Sequence, residues 1–401
     1  MISFENTETA FQAKSTKDLR KALFLYNMVR FPAIVKFGKA MLPIAFKLGI
    51  PIEKTIRNTV YEIFCGGETI ERCWPTIRHL GEFGVKTILD YSVEGKETES
   101  DFDAARDATI ATLDYASEHR EFIPFSVFKP TALGRFELWE KVNAGERLNS
   151  EEKKEFERVK ARFYAIADKS KEVDIPVLVD AEESWIQTAV DDLVLDMMRS
   201  YNKEKALIYN TLQMYRRDRL EYLQEILSLS IGDEFFLGLK LVRGAYMEKE
   251  RIRSIEMGYD SPIQLTKADT DQDYNQALNL CIDHINNVGL VAGTHNEQSS
   301  LRLTALMEQK GLEKDDQRIY FSQLLGMSDH ISYNLSDHGY NVVKYVPFGP
   351  VRDVMPYLLR RAEENTSVGG QTSRELTLIQ REIKRRRTER NRDAGAELKA
   401  V

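Results

Sequence analysis

From Val85 onward, short apolar runs rich in β-branched residues alternate with longer amphipathic stretches. The runs are VKTILDYS from Val85, PFSVFKP from Pro124, IPVLVDAE from Ile175, ALIYNTLQ from Ala206, FFLGLKLVRGAY from Phe235, VGLVAGTHN from Val288, IYFSQLLG from Ile319 and NVVKYVPFG from Asn341. Most are continuously apolar rather than alternating, as expected of parallel strands buried on both faces. The stretches between them, such as SWIQTAVDDLVLDMMRSY, have helical periodicity. This order predicts an α/β fold, a (βα)8 barrel. An open doubly wound sheet would want a glycine-rich phosphate turn after its first strand. There is no GxGxxG and no Walker pattern, and FCGGET and SVGGQT read as turns. The long stretch from Arg135 to Ser170 predicts two helices, with Asn149 or Ser150 as a cap.

Residues 1–58 read as an N-terminal helical arm, and residues 59–401 as the barrel with a basic C-terminal helix. The opening MISFENTETA has two glutamates and no basic cluster, unlike a signal or transit peptide. Lys21 to Ile50 contains five basic residues and no acidic one. Those charges keep every apolar run well short of the ~18 residues of a membrane span, and Pro32 and Pro43 break the stretch into short helices. Two readings stay open: an arm packed on the domain, or a segment that touches anionic lipid. REIKRRRTERNR, Arg381 to Arg392, reads as a solvated helix end, with contact to an anionic surface as the alternative.

Composition narrows the class. Hydrophobic residues make up 42% of the 401, and the net charge of -7 argues against a nucleic-acid partner. Cys65, Cys73 and Cys281 fit neither a disulfide framework nor a zinc site, and suit a reducing compartment.

In such a barrel the C-terminal ends of the strands form the mouth where ligands bind. Those ends are polar here. In chain order they supply Asp90 and Glu94, then Lys129, then Asp180 with Glu182 and Glu183, then Gln213. The later strands add Lys240, Arg243 and Tyr246 around Gly244 and Ala245, then Thr294, His295 and Asn296, then Gln323, then Tyr345. The helix YLLRRAEEN follows, with Arg360, Arg361 and Glu364 on neighbouring faces. So many cations at one mouth point to a ligand with at least two anionic groups. The single His of THN has no second His at ligand spacing, so no metal is expected. His79, His119, His284, His330 and His338 read as structural.

YLLRRAEEN resembles the Y-x-x-R-R-x-x-E-N signature of proline dehydrogenases. FCGGET, FKPTAL, VDAEES, LVRGAY, THN and QLLGM resemble further motifs of that family, in its order, over roughly Val60 to Gln380. KLVRGAY and KYVPFGP look closer to the mitochondrial-type branch than to the long bifunctional bacterial enzymes, which implies a monofunctional enzyme. The resemblance implies a distorted (βα)8 barrel that holds FAD, oxidises L-proline to Δ1-pyrroline-5-carboxylate and passes electrons to a membrane quinone. The expected location is the cytoplasm, with peripheral contact with the inner membrane left open, and a separate pyrroline-5-carboxylate dehydrogenase is a candidate partner for the product.

Carried over residue by residue, Arg360, Arg361 and Lys129 would bind the proline carboxylate, and Glu94 would pair with Arg360. Asp180 would hydrogen-bond Tyr345, which crowds the ring, and Leu324 and Tyr246 would complete its apolar cage. Gln213 would contact the flavin, and Lys240 would lie next to its N5. Ala181, Val242, Arg243, Gly244, Ala245, Thr294, His295, Asn296, Gln323 and Glu364 would hold the rest of FAD. Many bacterial members place arginine at the Lys240 position; lysine keeps the charge and loses the planar fork. Oxidation of 4-hydroxyproline is the competing activity, and Tyr345 leaves little room for its hydroxyl. A non-catalytic amino-acid-binding barrel is the other alternative. A phosphosugar enzyme would want a glycine-rich loop after β-strand seven or eight, which QLLGMSDH and KYVPFGPV do not supply.

Overall fold

Eight parallel strands close into a barrel in chain order: β1 (Val85–Tyr91), β2 (Phe125–Phe128), β3 (Val177–Val179), β4 (Ile208–Gln213), β5 (Leu237–Val242), β6 (Val288–Gly293), β7 (Ile319–Leu324) and β8 (Val342–Phe348). β8 returns to β1 through seven register pairs, from Val85↔Val342 to Tyr91↔Phe348. The computed structural model describes residues 2–29, 52–93, 97–367 and 371–397, with side chains for 2–28, 52–93, 97–361 and 374–392.

Every predicted run contributes a strand, but several strands stop earlier than the apolar pattern suggests. IPVLVDAE contributes only Val177–Val179. FFLGLKLVRGAY leaves the sheet after Val242. The reason there is local: Gly244 adopts φ 131, and a Cβ on it would lie 2.5 Å from the Tyr215 ring. The backbone turns where only glycine fits.

Strand parity sorts the interior. Ile88, Phe125, Val127, Leu178, Tyr209, Val291, Tyr320, Val343 and Tyr345 form one buried cluster inside the barrel. Successive side chains on a strand point to opposite faces. The next inward position on β1 is therefore Asp90. On β2 and β3 it falls just beyond the strand, at Lys129 and Asp180.

The outer layer follows the predicted helices. Arg135 to Ser170 resolves into Phe136–Asn143 and Ser150–Val173. Asn149 caps the second, its side chain accepting from the N–H groups of Glu151 and Glu152, both at 2.9 Å.

The N-terminal residues pack on the barrel's late elements. Phe4, Thr7 and Ala10 are buried near helix Asp329–Asp337. Helix Thr16–Val29 lies along helix Gln371–Glu397. The solvated-end reading of Arg381–Arg392 is corrected in part. Glu382 is fully buried and accepts from Arg385 and Arg386, and Arg386 also donates to Lys14 O and Phe11 O at 2.8 and 2.9 Å. Arg386 turns toward the N-terminal segment because that segment supplies carbonyl acceptors, which local charge counting cannot reveal. Pro32, Pro43 and most of the Lys21–Ile50 segment lie outside the described residues. No described helix is long and apolar enough to cross a membrane.

Candidate functional site

Four predicted residues meet at the mouth. Lys240 is 5% exposed; its ammonium group donates to Asp180 Oδ1 and to the Tyr345 hydroxyl, the latter at 2.7 Å. The Tyr345 hydroxyl lies 3.2 Å from the same Asp180 oxygen. Lys129 donates to both oxygens of Asp90 at 3.1 and 3.2 Å and lies 3.8 Å from Asp180 Oδ2. Burial alone would raise the Asp180 carboxyl, but Lys240 and then Lys129 hold it below the usual range. Burial, reinforced by Asp180 and Asp90, pushes the Tyr345 hydroxyl well above ordinary tyrosine. At neutral pH this is a neutral phenol beside fixed charges. The role of Asp90 as the Lys129 partner was missed from sequence, where it read only as a polar strand end. Its signal is the inward parity it shares with Ile88.

The helix after β8, Met355–Ser367, buries Tyr357, Leu358 and Arg361 along one face, and Val354 is buried just before it. Arg361 is 8% exposed, with its guanidinium 5.2 Å from the Tyr357 ring centre. Arg360 is about 100° further round the helix and half-buried. Leu324, in register with Tyr345, packs against both the inner barrel cluster and the cluster holding Tyr357 and Leu358. It thereby joins Tyr345 to the arginine helix. Glu94 and the side chain of Glu364 lie outside the described residues, so the Glu94–Arg360 pairing does too.

On the β4–β6 side the predicted cofactor residues are held by local hydrogen bonds. Gln213 donates to Glu182 O at 2.6 Å and accepts from Ala245 N at 3.2 Å. Arg243 donates to Asp271, Thr294 Oγ1 and Ser299 Oγ at 2.6, 2.7 and 2.9 Å. Asn296 caps helix Glu297–Gln309 by accepting from Ser299 N at 3.0 Å. His295 Nδ1 lies 2.9 Å from Ser328 Oγ. Burial, with the charges of Lys344 and Arg361, pushes its imidazole down to about 3, so it is neutral at pH 7. Ala181 follows Asp180 beyond β3, and Val242 ends β5 on the Lys240 face. Tyr246 precedes helix Met247–Met257 at the rim, with Lys249 Nζ 5.5 Å from its ring centre.

Gln323 stands on the other side of the strand wall. It has the opposite parity to Leu324, is 2% exposed, donates to Thr294 O at 3.1 Å and accepts from Ser332 Oγ at 2.9 Å. It faces the helix layer and holds Thr294 from behind the strand wall. Among the described residues, no group of three or more His, Cys, Asp or Glu is arranged to hold a metal ion.

Glu182 read from sequence only as one of the polar groups at the third strand end. It is 5% exposed and accepts from Thr131 N and Oγ1 at 2.9 and 2.6 Å. Burial, with Glu183 nearby, raises its carboxyl from 4.5 to about 7. A raised carboxyl contributes stability that is full below its ordinary value and lost as pH rises through about 7. Glu182→Gln is therefore expected to gain thermal stability relative to wild type between pH 5 and pH 8. A pH-independent difference in Tm would refute the assignment.

The family model for proline dehydrogenase matches residues 73–374. The chain belongs to the proline dehydrogenase family. Proline dehydrogenase 1, mitochondrial, of Dictyostelium discoideum is 32% identical, over 95% of this chain and 74% of its own. The carbapenem antibiotics biosynthesis protein CarD of Pectobacterium carotovorum subsp. carotovorum is 36% identical, over 82% and 85%. A hydroxyproline dehydrogenase of Xenopus laevis is 31% identical, over 94% and 88%. Among solved structures, proline utilization A of Bdellovibrio bacteriovorus shares the fold at a TM-score of 0.68 and 19% identity. That alignment covers 77% of this proline dehydrogenase family chain but only 33% of the much longer partner.

Proposed function

We propose that this chain is an FAD-dependent proline dehydrogenase that oxidises L-proline to Δ1-pyrroline-5-carboxylate. The observation that carries the reading is the Lys129–Asp180–Lys240–Tyr345 cluster at the mouth of a barrel of this family. Proline brings one carboxylate and one ring. Lys129, Arg360 and Arg361 supply cations for the first, and Tyr345 and Leu324 supply apolar walls for the second.

The donor set also suits a dinucleotide. Arg243 has five N–H donors, and its bonds to Asp271, Thr294 and Ser299 leave one on each terminal nitrogen. It lies near the N-terminus of helix Glu297–Gln309, and both features favour a pyrophosphate. Bound flavin supplies the two-electron chemistry. The protein's own share is to seat the carboxylate, hold the ring and exclude water. Lys240, anchored by Asp180, sets a fixed positive charge beside the ring. We propose a membrane quinone as electron acceptor, reached by peripheral contact. We propose a separate pyrroline-5-carboxylate dehydrogenase as the enzyme that consumes the product.

The test is the visible spectrum of the purified protein before and after L-proline without oxygen. Flavin bands that bleach with L-proline are expected. Bands that ignore it and bleach with 4-hydroxyproline would move the assignment to the activity named in the Xenopus relative. A protein that takes up no flavin would remove the function and leave the barrel.

A further inference from the structure

The turn after β7, Leu325 to Ser328, is gripped from outside the barrel. Lys344, on β8, is buried on the face opposite Tyr345, toward the helices. Its ammonium group donates to Met327 O at 2.8 Å and Leu324 O at 3.3 Å, and pairs with Asp329 Oδ1 at 2.8 Å. The other Asp329 oxygen takes Lys14 at 2.6 Å. The Tyr26 hydroxyl donates to Gly326 O, and Glu375 accepts from Ser328 N. Lys14 and Tyr26 belong to the N-terminal segment, and Glu375 to helix Gln371–Glu397.

Buried groups of this kind are costly unless each is partnered. Here buried Lys344 and partly exposed Lys14 face two buried carboxyl groups, Asp329 and Glu375. The turn they hold has two left-handed residues, Gly326 at φ 77 and Ser328 at φ 52. A serine in that conformation persists only where its surroundings impose it. The same turn carries mouth geometry: Leu324 enters it while packing near Tyr345, and Ser328 Oγ bonds His295.

We infer that Lys14 and Tyr26 are positioning residues for the substrate site. They fix the β7 turn, and through it Leu324, although neither stands at a strand end. The inference rests on the reading of the chain as a proline dehydrogenase, and it makes substrate affinity depend on the N-terminal segment.

The test uses the full-length, flavin-loaded protein and compares wild type with Lys14→Met, Lys14→Arg and Tyr26→Phe. Lys14→Met and Tyr26→Phe are expected to raise the KM for L-proline three- to tenfold, with kcat within twofold. Lys14→Arg, which keeps the charge, is expected to return KM to within twofold of wild type. Tyr26→Phe removes a single hydroxyl, so it decides the matter if Lys14→Met does not fold. A lowered Tm with unchanged KM in the folded variants overturns the inference, since the grip would then serve stability alone. A wild-type flavin that ignores L-proline overturns the functional reading instead, and the inference with it.

Discussion

Arg361→Met is expected to raise the KM for L-proline tenfold or more while leaving flavin content unchanged. A hydrogen bond to a charged group contributes about 1.5–3 kcal/mol, and each 1.4 kcal/mol corresponds to about tenfold in affinity. Arg361 lies on the packed face of its helix with Tyr357 and Leu358, so its guanidinium is already oriented and largely desolvated. Arg360 is more exposed and screened, and Arg360→Met is expected to have the smaller effect of the two. Methionine keeps much of the side-chain volume, which limits loss of packing. Steady-state kinetics on both variants provides the check. An unchanged KM in each would mean that the arginine helix does not bind the carboxylate.

Lys344→Met is expected to cost about 3 kcal/mol of folding stability or more, the range found when one member of a buried ion pair is removed. Asp329 would keep Lys14, but the Met327 and Leu324 carbonyls would lose their shared donor. The pH dependence has a definite sign. Burial opposes ionisation of Asp329, but Lys14 and Lys344 outweigh it and hold the carboxyl well below its ordinary 3.8. A lowered carboxyl stabilises fully above its ordinary value, and that contribution is lost as pH falls below about 4. Wild type is therefore expected to lose stability on acidification below pH 4 more steeply than Asp329→Asn. Urea midpoints at pH 7 and in the acid range test both statements. A Lys344→Met midpoint within error of wild type would contradict the buried-pair assignment.

The fold was legible because parallel barrel strands carry their signal locally: most of the eight runs are continuously apolar, and longer helical stretches separate them. Strand ends were less legible. At VDAE and VRGAY the residue types still suit a strand, and only the turn geometry at the mouth ends the pairing. Asp180, Lys240 and Tyr345 could be chosen together because their motifs are specific and their parity is inward. Lys344 was not chosen, since a lysine inside an apolar strand has meaning only beside Asp329, and Asp329 has meaning only beside Lys14. Pairings between residues 14, 329 and 344 leave no periodic trace. For the same reason Arg386 read as a solvated charge, although it bonds carbonyls of Phe11 and Lys14.

The seam between β1 and β8, like the Tyr26–Gly326 contact made across 300 residues, sets an order of events during synthesis. A nascent chain carries its N-terminal segment and β1 out of the ribosome long before their partners exist. Contacts so distant in sequence close late and slowly. Until Val342–Phe348 emerges there is no closed ring and no complete mouth, so any prosthetic group must enter an almost finished protein. The waiting edge of β1, with its apolar residues Ile88 and Leu89, is the surface a chaperone would have to shield.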